Sequence, residues 1–190
     1  TLDELEAIRK ICTKYDMPLF IDGARLGYAL TATGNDVTLE DIARIADVFY
    51  IGGTKVGAMF GEAVVFTHGN MPKNFVTLVK QHGALLAKGW LLGVKFDTLF
   101  TDNLYCRIAR RANDAADRIR EVLVERGYTL TFDAPTNQIF ITLDNETSER
   151  LQRSVRLGFM EKADDTHTVM RICTSWATTD KQVEQLIALL

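Results

Sequence analysis

The sequence predicts an α/β protein: a layered, largely parallel sheet in the first half, followed by a smaller α+β unit. Three patterns carry this. Short apolar runs that end in Asp or Gly alternate with amphipathic segments up to about residue 100. A sustained spacing of threes and fours then marks one long helix from Asp102 to Arg126. Beyond it, strand-like runs alternate with two further helical segments, which sets a domain boundary near residue 100 and gives domains 1–100 and 101–190.

Each element follows from its residues. Thr1 and Glu4 have capping-box spacing, and Leu5, Ile8 and Ile11 or Cys12 make an apolar stripe behind them. Pro18 breaks that helix, and Leu19-Phe20-Ile21 reads as a short buried strand ending at Asp22. Ala24 to Ala32 turns helical before Gly34-Asn35, and Thr38 starts a helix carrying Ile42 and Ile45. Val48 to Ile51 is a second strand, closed by Gly52-Gly53, and Glu62 to Thr67 a third. In the long helix Leu104, Ile108, Ala112, Ala115, Ile119 and Leu123 share a face, and Gly127 ends it. Strands are expected at Thr129–Phe132, Gln138–Leu143 and Thr168–Ile172, and helices at about Ser148–Leu157 and Thr179–Leu190.

Composition excludes several classes. The 190 residues are 47% apolar and 25% charged, enough to bury a core. The net charge of −3 offers no basic face for nucleic acid or an anionic membrane. No apolar run is long enough to span a bilayer, and Thr1-Leu-Asp-Glu-Leu-Glu lacks the regions of a signal peptide. Cys12, Cys106 and Cys173 are odd in number and widely spaced, as expected for free thiols in a reducing cytoplasm. His68, His82 and His167 have no metal-ligand spacing, so no metal is expected. The sequence begins without Met, and the reading expects it to start partway along a longer chain.

Two strand ends carry the chemistry: Ile21-Asp22-Gly23-Ala24-Arg25 and Ile51-Gly52-Gly53-Thr54-Lys55. In open α/β sheets, ligands bind just beyond the carboxyl ends of strands. A lysine that forms a Schiff base, paired with a carboxylate that keeps a pyridine nitrogen protonated, is what pyridoxal 5′-phosphate (PLP) requires. The separation of 33 positions from Asp22 to Lys55 suits one helix and one strand. On spacing alone, the alternative of Asp22 as a helix cap and Lys55 as a solvated turn lysine stays open. A phosphate loop fits worse, because Val56 follows Lys55 where Ser or Thr is needed.

Asp22-Gly-Ala-Arg-Leu26, Gly52-Gly-Thr-Lys55 and Arg171-Ile-Cys-Thr-Ser-Trp176, in this order and spacing, resemble the low-specificity threonine aldolases, in the β-eliminating-lyase group of fold-type I PLP enzymes. The resemblance implies the rear part of the PLP-binding large domain followed by the small C-terminal domain. It implies that Asp22 pairs with the pyridine nitrogen, that Lys55 is the Schiff-base lysine, and that Arg25 and Arg171 hold the substrate carboxylate. Arg25, Thr54 and Lys88 join the implied cofactor contacts. Lys88 stands where many relatives have an arginine that reaches the neighbouring subunit's phosphate, and a plain solvated lysine is an equal reading. Thr54 either bonds the phosphate or caps a turn.

The implied activity is cleavage of threonine-type β-hydroxy-α-amino acids to glycine and an aldehyde, by a cytoplasmic homo-oligomer, dimer or tetramer. The phosphate-cradling residues, a ring that stacks on the cofactor and a substrate-contacting serine belong to a preceding part of the family's chain. These residues alone are therefore expected to make no competent site and to expose an apolar face or a sheet edge. Two alternatives stay open: another fold-type I enzyme, such as an aromatic amino acid β-eliminating lyase or a class V aminotransferase, and a non-catalytic fragment that serves only assembly.

Overall fold

The computed structural model describes residues Thr1–Leu190. Helix α1 (Leu2–Lys14) opens on the capping box, with the Thr1 side chain accepting from the Glu4 N–H and the Glu4 carboxylate receiving the Thr1 amine at 2.8 Å. Strand β1 (Phe20–Ile21) follows, and Asp47 anchors its start by accepting from Leu19 N–H at 2.7 Å and from Arg9 at 2.6 Å. Helix α2 (Leu26–Leu30) and helix α3 (Leu39–Ile45), the latter capped by Thr38 and Asp41, lead to strand β2 (Val48–Gly52). Phe49 and Ile51 turn inward from β2, while Val48 and Tyr50 stay half-exposed on its other face.

β2 runs parallel to β1, with Ile21 beside Phe49, and antiparallel to strand β3 (Glu62–Phe66), with Gly52 opposite Glu62. The expected parallel sheet thus holds for β1 and β2 and gives way at β3. Nine residues without a helix join β2 to β3, too few for a parallel crossover. That loop turns back on positive φ at Gly57, Met59 and Gly61. Helices α4 (Phe75–Gln81) and α5 (Trp90–Phe100) occupy a stretch where the apolar spacing predicts no element.

A 3₁₀ turn (Thr101–Asn103) holds Asp102 and Asn103 at positive φ, so the long helix α6 begins at Leu104 rather than Asp102. α6 (Leu104–Glu125) ends in a Schellman motif: Tyr128 N–H donates to Leu123 O and Gly127 N–H, at φ +77°, to Val124 O.

Strands β4 (Thr129–Leu130), β5 (Gln138–Asp144), β6 (Gly158–Lys162) and β7 (His167–Cys173) form an all-antiparallel sheet in the order β4-β5-β7-β6. Helix α7 (Asn145–Gln152) starts three residues earlier than expected, because the Asp144 carboxylate accepts from Thr147 N–H at 2.8 Å and caps it. Helix α8 (Asp180–Leu189) closes the chain behind a Thr179–Gln182 capping box. Ile139, Ile141, Leu143, Met170 and Ile172 of this sheet pack with Ala116, Ile119 and Leu123 of α6, Leu151 of α7 and Val183 of α8.

The chain divides into two compact units: Thr1–Leu30 with Asn35–Arg107, and Thr31–Gly34 with Ile108–Leu190. No helix is long and apolar enough to cross a membrane.

Candidate active site

Parallel pairing brings the carboxyl ends of β1 and β2 side by side in the first unit, so Asp22 and Lys55 emerge at the same end of the pair. The chains approach closely there. Gly52 N–H donates to Gly23 O at 2.9 Å, and a methyl at Gly52 would meet the Ala24 carbonyl carbon at 2.6 Å. A methyl at Gly23 would run into the Tyr50 carbonyl, so glycine at both places is a steric requirement.

Asp22 is exposed and accepts two hydrogen bonds on Oδ1, from the Tyr50 hydroxyl and from Ala24 N–H at 3.0 Å. Those donors, with a smaller contribution from the positive charge of Lys55, hold its carboxyl below the usual range. Donation to Asp22 pushes the Tyr50 phenol up to about 12, so it stays protonated at neutral pH.

The loop that carries Thr54 and Lys55 is held from three sides. Gly53 N–H donates to Glu62 Oε2 at 2.6 Å. The Tyr28 hydroxyl donates to the Lys55 backbone carbonyl. Buried Tyr105, on the first turn of α6, receives Gly27 N–H at 3.0 Å and donates to Gly52 O at 2.9 Å, tying the segment after β1 to the end of β2. Burial pushes the Tyr105 phenol well above its ordinary value, which keeps it a donor. Thr54 and the Lys55 side chain remain exposed above this clamp.

Arg25 lies one turn beyond Asp22, and its buried Nε has no hydrogen-bond partner. It lines a cavity of about 360 Å³ with Asp22, Leu26 and Ile42. Lys88 is exposed in the turn before α5 and its amine meets no partner in this chain. Arg171 belongs to the second unit, on β7, where Nη1 donates to Gln138 Oε1 at 3.2 Å and the buried Nε is again unpaired. A separate cavity of about 560 Å³ among Tyr128, Thr142, Arg150 and His167 contains none of the sequence-predicted site residues.

Sequence reasoning missed Tyr28, Tyr50, Glu62 and Tyr105. Only Tyr50 left a signal: the hydroxyl in an otherwise apolar strand, placed beside Asp22 by extending the β1/β2 register one step.

A mixed α/β unit followed by an α+β unit is the architecture of the fold-type I PLP-dependent enzymes. A family model described as beta-eliminating lyase matches residues 1–147, and the chain belongs to that family. It is 30% identical over 151 residues to the low specificity L-threonine aldolase of Pseudomonas aeruginosa, covering 79% of this chain and 44% of that protein. The enzyme of the same name from a Pseudomonas sp. is 28% identical over 187 residues, 98% of this chain and 53% of the relative. Among solved structures, Leishmania major threonine aldolase superposes with a TM-score of 0.95 at 40% identity, over 99% of this chain and 55% of that one. A serine palmitoyltransferase solved with PLP, 12% identical, shares the fold with a TM-score of 0.66 over 97% of this chain and 49% of its own. The chain spans about half the length of the curated relatives it matches.

Proposed function

We propose that this chain forms the rear part of a PLP-binding domain (residues 1–100) and the small domain (101–190) of an aldehyde-lyase that cleaves L-threonine and allo-threonine-type β-hydroxy-α-amino acids to glycine and an aldehyde. One observation carries the reading: Asp22, held anionic by Tyr50 and Ala24, and Lys55, on a clamped turn, stand beyond adjacent ends of a parallel strand pair. Threonine aldolases among its relatives support the substrate class.

The donor set suits the cofactor. Asp22 keeps Oδ2 free of any donor in this chain and offers a negative charge to a cationic ring nitrogen. Lys55 supplies the primary amine, and Thr54 and Lys88 the polar contacts for a phosphate. Bound there, PLP would supply an aldehyde for the substrate amine and an electron sink for the pair released from the Cα–Cβ bond. The protein's part is binding and orientation. Arg25 and Arg171 grip the substrate carboxylate, because a guanidinium fork matches its two oxygens and fixes the plane of the amino acid. Asp22, staying ionised, keeps the nitrogen it faces protonated. Tyr28 and Glu62 fix the backbone of the lysine-bearing turn and so the point from which its side chain reaches out.

The same reading makes the enzyme a cytoplasmic homo-oligomer and the 190 residues alone incompetent for the reaction. The test is the product of the complete coding sequence, loaded with PLP and given threonine, allo-threonine, tryptophan, or an amino donor with a keto acid. Glycine and acetaldehyde from threonine are expected. Indole with pyruvate from tryptophan, or amino-group transfer with threonine left uncleaved, would overturn the aldolase reading. Threonine cleavage by the 190 residues alone would overturn their expected incompetence.

A further inference from the structure

We propose that Tyr50 is a positioning residue for this site: its phenol fixes the rotation of the Asp22 carboxylate so that Oδ2 faces the cofactor's ring nitrogen. This rests on the reading of Asp22 as that nitrogen's partner.

The geometry around Asp22 is specific. A carboxylate torsion is broad and about two-fold, so an exposed aspartate has no intrinsic orientation. Here the Tyr50 hydroxyl and Ala24 N–H converge on Oδ1, and no donor of this chain reaches Oδ2. Two donors on one oxygen set the carboxylate plane and leave the other oxygen as the free acceptor.

Tyr50 is itself well placed to impose this. It sits in mid-β2, opposite Val64 of β3, and the register that pairs Ile21 with Phe49 sets it beside the residue after β1. Its ring lies 6.0 Å from that of Phe20 at an interplanar angle of 40°. The charged groups acting on the pair are Lys55, which favours the Asp22 anion, and Glu62, which favours the protonated phenol. Both preserve a donor facing an anion. Ala24 N–H alone would leave the carboxylate free to pivot about one bond.

The test compares Tyr50→Phe, Asp22→Asn and the double variant in the product of the complete coding sequence. Phenylalanine keeps the ring contact with Phe20 and removes only the hydroxyl. Carboxyl titration by ¹³C NMR on cofactor-free protein should show the Asp22 pKa raised in Tyr50→Phe, because its strongest donor is gone. PLP should bind several-fold more weakly to Tyr50→Phe and at least as weakly to Asp22→Asn, and adding Tyr50→Phe to Asp22→Asn should cause no further loss. An unmoved Asp22 titration, unchanged PLP affinity in Tyr50→Phe, or additive losses would overturn the role of Tyr50. If Asp22→Asn binds PLP like the parent, the reading of Asp22 falls and the proposal falls with it. The NMR titration, made without cofactor, separates that failure from a failure of the Tyr50–Asp22 contact.

Discussion

In the second unit, β5 and β7 turn Ile139, Ile141, Met170 and Ile172 onto α6, α7 and α8, each at most 5% exposed. In the first, α1 and α4 bury no residue at all, and seventeen of the twenty-two large apolar side chains left exposed lie there. Ile11 is 55% exposed, Phe20 58% and Trp90 64%. Thus the unit with the better-closed core holds one sequence-predicted site residue, Arg171, and the unit with the open apolar surface holds the other five. What keeps the first unit's site in shape is a set of local polar bonds: Tyr105 between Gly27 and Gly52, Glu62 on Gly53, Tyr28 on Lys55, Tyr50 on Asp22. The two units should therefore respond to different kinds of damage.

The largest effect is expected at Lys55. Lys55→Ala in the complete protein should lower kcat by on the order of 10³-fold or more, since no other group replaces a covalent anchor. Steady-state kinetics check it.

Next come paired truncations. Ile141→Ala, in the closed core, should cost about 2–5 kcal/mol, whereas Ile11→Ala, half in water, should stay within about 0.5 kcal/mol in this chain. Urea titration of both variants measures the contrast, and equal losses would break it.

A smaller loss is expected from Tyr105→Phe. The ring still packs, but Gly27 N–H and Gly52 C=O lose their buried partner, at about 1–3 kcal/mol. Its melting temperature should fall, and activity with it.

The smallest effect is a pH dependence at the Asp22–Tyr50 pair. Asp22 titrates lower in the fold than unfolded, so its contribution is present above the unfolded pKa and is lost as pH falls through the folded one. Tyr50 titrates higher in the fold, so its contribution is complete below the unfolded value and is lost as pH rises through about 12. Urea midpoints across pH should fall toward both extremes in the parent chain and fall less at both in Asp22→Asn, which keeps only the contributions of the other shifted groups, such as Tyr105 and Asp164.

Much of this was legible in the sequence. Asp22 follows its apolar run directly and Lys55 follows its run by way of Gly52-Gly53-Thr54, which puts both just beyond strand ends whatever the details of packing. The capping box at Thr1 is local, three residues across, and reads directly from the sequence, while Thr38 and Thr179 read as helix starts and their capping boxes emerge in the structure. The tyrosine clamp was not legible, because Tyr105 reaches Gly27 across 78 residues and only the folded chain makes them neighbours. β6 was hidden because Phe159 and Met160 run into Glu161 and Lys162 and the strand is mostly exposed. α5 was hidden because apolar residues cover most of its sides and leave no stripe. The antiparallel turn into β3 depends on a loop whose direction is set by positive φ at three positions, which composition only hints at.

The central claim, that Lys55 is the cofactor's covalent anchor beside an anionic Asp22, has one direct measurement. The product of the complete coding sequence is loaded with PLP, reduced with borohydride, digested and read by mass spectrometry. The account predicts a single pyridoxyl adduct, on the peptide containing Gly52-Gly53-Thr54-Lys55, and its absence in Lys55→Ala. An adduct on another lysine, or none on the PLP-loaded parent protein, would contradict it.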